Sequence, residues 1–289
     1  MSRVDETIPD NDESDIDPFQ AFHDSIKQDL ARAAAQSPAA QRSAFRQDPR
    51  GVLIQGEASV RRIVRVERGV CKAGTGVRVE ESRALQFAHA LQLPVPTVHE
   101  VKTADRETEI LMDFVDGDCL EEAWPAMNAA QKQSVAEQIG RIVAAMREVA
   151  CDQPIGALGG PALDCRQYSD YPGGPFANEA EFNDYVLDLL SGTPPRVRRT
   201  LAEALPVDSR IVFSHCDLVP RNIIVEGDQV RALLDWEYAG WYPEYWEYVK
   251  FFDRPTRCKD WKQYADIIFG THYPKQLLTF QALARWQRP

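Results

Sequence analysis

A chain of 289 residues, 44% of them apolar, is long enough to bury a full hydrophobic core as one large domain or two lobes, and too apolar to be disordered over most of its length. Its 44 acidic side chains outnumber 33 lysines and arginines, for a formal net charge of −11 without a basic tract, which argues against nucleic-acid or anionic-membrane partners. No basic stretch leads into an apolar segment at the N-terminus and no apolar run approaches about 18 residues, so neither a signal peptide nor a membrane span is expected.

The six cysteines (Cys71, Cys119, Cys151, Cys165, Cys216 and Cys258) form no CxxC pair. They read as reduced thiols of a cytoplasmic protein. Residues 1–18 are rich in Asp, Glu and Ser and are expected to be a disordered acidic tail. A weak helical pattern follows over 19–48 around Phe22, Ile26 and Leu30. From Gly51 the pattern changes to short β-branched runs, GVLIQ, SVRRIVRV and GVCKA, separated by turn residues, which predict successive antiparallel strands. VEESRALQFAHALQL then spaces Leu85, Ala88 and Leu91 as a helix that must stop before Pro94. Two further strands, VPTVHEVKT and TEILMDFV, flank a turn at Ala104-Asp105.

Beyond Gly117 helices dominate. Asn128 and Gln131 have the spacing of a capping box, ahead of a stripe of Val135, Ile139, Ile142, Val143 and Met146. The glycine- and proline-rich segment from Gly156 to Pro175 is expected to be a loop, and Asn178 with Glu181 opens another helix. A further helical segment lies near 196–204, and helices are expected to resume at Pro243 and near Trp261.

Between them lies SHCDLVPRNIIVEGDQVRALLDWE, residues 214–237. Two apolar runs around Glu226-Gly227-Asp228-Gln229 predict a hairpin. Centred between Asp228 and Gln229, it would pair position 225 with 232 and Asn222 with Asp235, on one face. An amide oxygen and a carboxylate there make half of a magnesium site, since that ion takes few protein ligands and fills the rest with water and phosphate oxygens. His215, Asp217 and Asn222 have the spacing of the protein-kinase catalytic loop, in which the aspartate accepts the substrate hydroxyl proton and the asparagine holds metal. Each residue alone also fits a turn cap, a core imidazole or a strand end; together, in this order, they describe one phosphoryl-transfer site. His215 itself reads as structural, bonded to backbone. A zinc hydrolase built on His215 and Asp217 would want a third ligand, and none is in view.

FSHCDLVPRNIIV, LLDWEYAGWYPEYWEYVKF, LPVPTVHEV and GPFANEAEFNDYV resemble the aminoglycoside phosphotransferase and choline kinase superfamily, most closely its fungal phosphotransferase-like proteins of unassigned substrate, over about residues 51–255. The resemblance implies an α+β, bilobal, protein-kinase-like fold: an extension over 1–50, a small β-rich N-lobe with one helix over 51–115, and a larger, mostly helical C-lobe over 116–289. It implies Asp217 as the catalytic aspartate, Asn222 and Asp235 as magnesium ligands, Lys72 on the third strand as the partner of the α- and β-phosphates of ATP, and Met112, Asp113, Phe114 and Val115 as the hinge that bonds adenine. Two departures stand out. QGEASV lacks a full GxGxxG, leaving Gly56 and Ser59 as its nucleotide-loop residues, and Arg83 occupies the place of the helix glutamate that orients the lysine, so Glu81 or Glu80 must substitute from the preceding turn. WYPEYWEYVKFF, with its aromatics and Glu244 and Glu247, reads either as a substrate wall or, preferably, as a helix docking the hairpin onto the C-lobe with its aromatics in the core. The expected activity is an ATP- and magnesium-dependent kinase acting on a small-molecule hydroxyl; the alternative is a catalytically weak or inactive kinase-fold binding protein.

Overall fold

The computed structural model describes residues 52–57, 60–149, 153–166, 169–190 and 192–286; the expected acidic tail and the helix over 19–48 lie outside them. Leu53–Pro289 form one compact unit. It opens with β1 (Val52–Glu57), β2 (Arg61–Val66) and β3 (Gly69–Gly74), then α1 (Val79–Ala90), β4 (Val98–Ala104) and β5 (Glu107–Met112). The five strands form one sheet in the order β1-β2-β3-β5-β4, which leaves β3 in the middle. Gly69 makes the tight entry into β3 possible. Its φ is +139°, and an added Cβ would fall 2.1 Å from the carbonyl oxygen of Met112. The turn between β4 and β5 is Asp105-Arg106, both left-handed (φ 50° and 70°), one residue later than the pattern predicts.

The α1 helix buries Ala84, Leu85 and Ala88 beside Ile110 of β5. The same apolar cluster continues through Ile139 and Val143 into Phe213, Ile223 and Trp236, so the sheet and the helical region share one core.

The chain continues through β6 (Asp118–Cys119), α2 (Ala129–Glu148), β7 (Gly156–Ala157), β8 (Ala162–Arg166), β9 (Ser169–Gly173), α3 (Glu179–Leu187) and α4 (Pro195–Ala204). Next come β10 (Ile211–Ser214), β11 (Ile223–Glu226), β12 (Gln229–Leu233), β13 (Gly240–Pro243), α5 (Trp246–Asp253) and α6 (Pro274–Trp286). The capping box at the start of α2 is closed in both directions, each bond 3.0 Å, between Asn128 and Gln131. Asn178 likewise accepts the Glu181 N–H at 3.0 Å to start α3.

Three expectations change. The segment from Gly156 to Pro175 is not a plain loop: β8 and β9 form a hairpin, and β7 pairs with β13. A two-residue strand has no periodicity of its own, so only its distant partner reveals it. Pro243 ends β13, held opposite Ile211, and the helix starts later, at Trp246. Near Trp261 the helix opens as a 3₁₀ turn, Trp261–Tyr264, and continues as a single α-helical turn, Ala265–Ile268.

Among the described residues no helix is long and apolar enough to cross a membrane. Cys119, Cys216 and Cys258 are free thiols.

Candidate active site

The 214–222 segment leaves β10 and turns sharply at Cys216, whose φ is +67°. His215 is fully buried, edge-on to Trp236 at 4.6 Å between ring centroids. Its Nδ1 accepts the Asp217 N–H (3.1 Å), which makes Nε2 the protonated nitrogen, donating to the Leu234 carbonyl (2.9 Å). The imidazole therefore fastens the Asp217 loop to the residue preceding Asp235. Glu247 of α5 closes the turn from below. Its carboxylate accepts the His215 N–H at 2.5 Å and the Cys216 N–H at 3.0 Å. Burial raises the Glu247 pKa against the pull of His215 and of these backbone donors. Burial also pushes the Cys216 thiol well up, so it is no nucleophile.

Asp217 is 3% exposed and heavily bonded. Asn222 Nδ2 donates to its Oδ2 (2.8 Å), Arg221 Nη2 lies 3.0 Å from both oxygens, and Arg254 Nε lies 3.1 Å from Oδ1. Because the Asn222 nitrogen is spent on Asp217, its carbonyl oxygen is the end that remains for a cation. The position of Asn222 on the hairpin differs from the predicted one. Gly227-Asp228 make a two-residue turn, and a bulge between Ile224 and Val225 shifts the ladder, so that Val225 pairs with Val230 and Ile223 with Leu233. Asn222 thus stands beside Leu234, its backbone carbonyl accepting the Leu234 N–H at 2.7 Å, and the expected pairs 225/232 and 222/235 do not form. Asp235 follows one residue later in a left-handed conformation (φ 62°), which redirects its side chain.

That side chain meets the sheet. Lys72 on β3 donates to Asp235 Oδ1 and to Glu81 Oε1, both at 2.8 Å. Of the two candidate glutamates, Glu81 is the one at Lys72; Glu80 sits 3.5 Å from Arg78 instead. Arg83 points elsewhere, donating to the carbonyls of Leu158 (3.3 Å) and Gly159 (3.0 Å). Burial opposes the Lys72 ammonium, but Asp235 and Glu81 hold its pKa above the ordinary lysine value. Burial likewise works against the Asp235 carboxylate, and Lys72 overcomes it, holding the pKa at about 2. Glu237 closes the cluster. It is bonded by Arg61 of β2, and burial together with Asp235 pushes it up to about 7. Oxygen atoms of Glu81, Asp235 and Glu237 lie within 4.8 Å of one another.

At the expected hinge, Met112 is a ladder residue paired with Val70 and Val98. The Asp113 N–H donates to Thr97 O (3.0 Å), so it is not a donor for a base, and its carboxylate accepts from Thr97 N and His99 Nε2. Phe114 is 40% exposed with the Arg65 guanidinium 3.4 Å above its ring, and Val115 is half-buried. Gly56 lies in β1, and Ser59 falls outside the described residues. Arg221, Arg254, Arg61 and the anchoring role of Glu247 were not read from the sequence. Only Arg221, four residues after Asp217, left a local signal.

Residues 28–274 match the model of a family described as the phosphotransferase enzyme family. No curated protein matches the chain. Among solved structures it is similar to an aminoglycoside-3'-phosphotransferase of type VIII, with 14% identity and a TM-score of 0.58 over 86% of this chain and 98% of that one. A thermostable mutant of an aminoglycoside phosphotransferase, in a ternary complex with ADP and hygromycin B, aligns at 15% identity and TM-score 0.57 over 84% and 86% of the two chains. An aminoglycoside 2'-phosphotransferase in its GDP complex aligns at 11% identity and TM-score 0.55 over 84% of each. These likenesses show the fold: α+β and bilobal, with a small sheet lobe carrying one helix and a larger helical lobe.

Proposed function

This chain belongs to the phosphotransferase enzyme family, and on that footing we propose that it transfers the γ-phosphoryl group of ATP to a hydroxyl of a small molecule, with magnesium. The observation that carries the proposal is the buried Lys72, held at 2.8 Å by both Glu81 and Asp235, residues from a strand, a helix and a hairpin end far apart in the chain. A lysine so placed is pinned for phosphate oxygens, and its pairing with Glu81 supports the kinase reading despite Arg83 at the usual glutamate position.

Asp217 orients the acceptor hydroxyl. Of the guanidiniums on it, Arg221 is the more exposed (34% against 7% for Arg254), so an acceptor reaches the carboxylate by replacing the Arg221 contact. Asn222 and Asp235 offer hard oxygen donors that suit magnesium, the first by its carbonyl end and the second as a carboxylate. Bound there, the ion would screen phosphate charge. His215, through its two backbone bonds, keeps the Asp217 loop in register with Asp235. The protein's share of the catalysis is then positioning and fixed charge, which suits a phosphoryl transfer that needs little covalent help.

A panel of hydroxylated metabolites incubated with γ-labelled ATP and Mg²⁺ tests the reading. Label should pass to one class of acceptor with the wild type and not with Asp217→Ala, while both proteins are thermally stabilised by ATP. Equal transfer by that variant would refute the role of Asp217. Absence of stabilisation by ATP, with or without Mg²⁺, would favour the non-catalytic alternative.

A further inference from the structure

The sequence from Gly56 to Ser59 carries one glycine, short of the glycine-rich pattern whose close backbone amides cradle a polyphosphate elsewhere. Just past it, Arg61 opens β2. Ile63 pairs with Lys72, and strand alternation puts Arg61 on the same face as Ile63, so both cations project to one side of the sheet. Lys72 is buried there (side chain 6% exposed), whereas Arg61 is still 35% exposed and open to a ligand. Its guanidinium reaches Glu237, two residues beyond Asp235, with one nitrogen on each carboxylate oxygen: Nη1 to Oε1 at 3.3 Å, and Nη2 to Oε2. Asp235 and Glu81 lie within electrostatic reach of the same group.

We infer that Arg61 is a phosphate-binding residue of the nucleotide site, taking over from the missing glycines, and that Glu237 holds its place while no polyphosphate is bound. The planar fork that grips two carboxylate oxygens grips two phosphate oxygens in the same way. The exchange is even, since one anionic partner leaves as another enters and Arg61 never stands unpaired. A backbone cradle would need the loop to approach the phosphates closely; a long side chain starting on the sheet does not. The inference rests on the nucleotide reading above.

Calorimetric titrations with ATP and with adenosine, in EDTA so that metal contacts of Asn222 and Asp235 drop out, separate the two. For Arg61→Ala, affinity for ATP should fall on the order of tenfold to a hundredfold, the worth of a charge-assisted bond, while adenosine affinity changes less than about twofold. Arg61→Lys, which keeps the charge and loses the fork, should recover part of the loss and controls for folding. Glu237→Gln breaks the same bridge from the other side and should bind ATP as tightly as the wild type or more so. A bridge with a purely structural role would instead weaken both ligands alike in both variants, and that result, or an Arg61→Ala protein that keeps its preference for ATP, overturns the inference. A wild type that binds ATP no better than adenosine would remove the nucleotide reading itself, and the role of Arg61 with it.

Discussion

Glu247→Ala puts the geometry under the Asp217 loop to a direct test. The carboxylate is the acceptor for the backbone N–H groups of His215 and Cys216, residues 0% and 2% exposed, so its removal strands two buried donors. Each stranded donor costs about 1–3 kcal/mol. Against this, the variant no longer buries a carboxylate, and recovering that desolvation brings the expected loss down to about 2–3 kcal/mol in total. Urea denaturation should show a lower midpoint with an unchanged slope. Amide hydrogen exchange should speed up at His215 and Cys216 more than in α2, because the loop opens before the core does. Transfer should fall on the order of a hundredfold, since Asp217 is carried by that loop. Glu247→Gln keeps one acceptor oxygen and turns its NH₂ towards a donor, so it should lie between the two. A Glu247→Ala protein within about 0.5 kcal/mol of the wild type, with unchanged exchange at the two amides, would refute the anchoring role.

Lys72→Met leaves Glu81, Asp235 and Glu237 facing one another with only Arg61 to balance them, and should cost about 3–5 kcal/mol and abolish ATP-induced stabilisation in a thermal melt; retained stabilisation would show that Lys72 does not meet the phosphates. Glu81→Gln should weaken ATP binding about tenfold while Arg83→Ala leaves it within about twofold, because the first holds the lysine and the second only the 158–159 turn; equilibrium titrations giving the reverse order would reassign the lysine's partner. At Cys216, φ +67° penalises a β-branched side chain, so Cys216→Val should lose about 2 kcal/mol or more, whereas in Cys216→Gly relieved strain offsets the lost thiol and the change should stay within about 1 kcal/mol; chemical denaturation that found valine tolerated would contradict the turn geometry.

What the sequence alone determined is what short-range chemistry encodes. The period-two runs of β2 and β3, the Asn128 and Asn178 caps and the stripe on α2 each depend on neighbours within a few residues, and they appear in the structure where the sequence puts them. The spacing from His215 to Asn222 belongs to the same class, because one loop carries all of it. Long-range pairing had to be decided by the tertiary structure. The β7 strand exists only against β13, and the turn at Gly227-Asp228 together with one bulge sets Asn222 opposite Leu234 instead of Asp235, which no apolar pattern could announce. The carboxylates and cations around Lys72 show the same division. By position Glu81 was a candidate with Glu80 beside it as the alternative, and only the packing of α1 against the sheet decided that Glu81 is the one at Lys72. Arg61 and Glu237, separated by 176 residues, carry no local sign of each other; burial and opposite charge bring them together only after the sheet has closed over the hairpin.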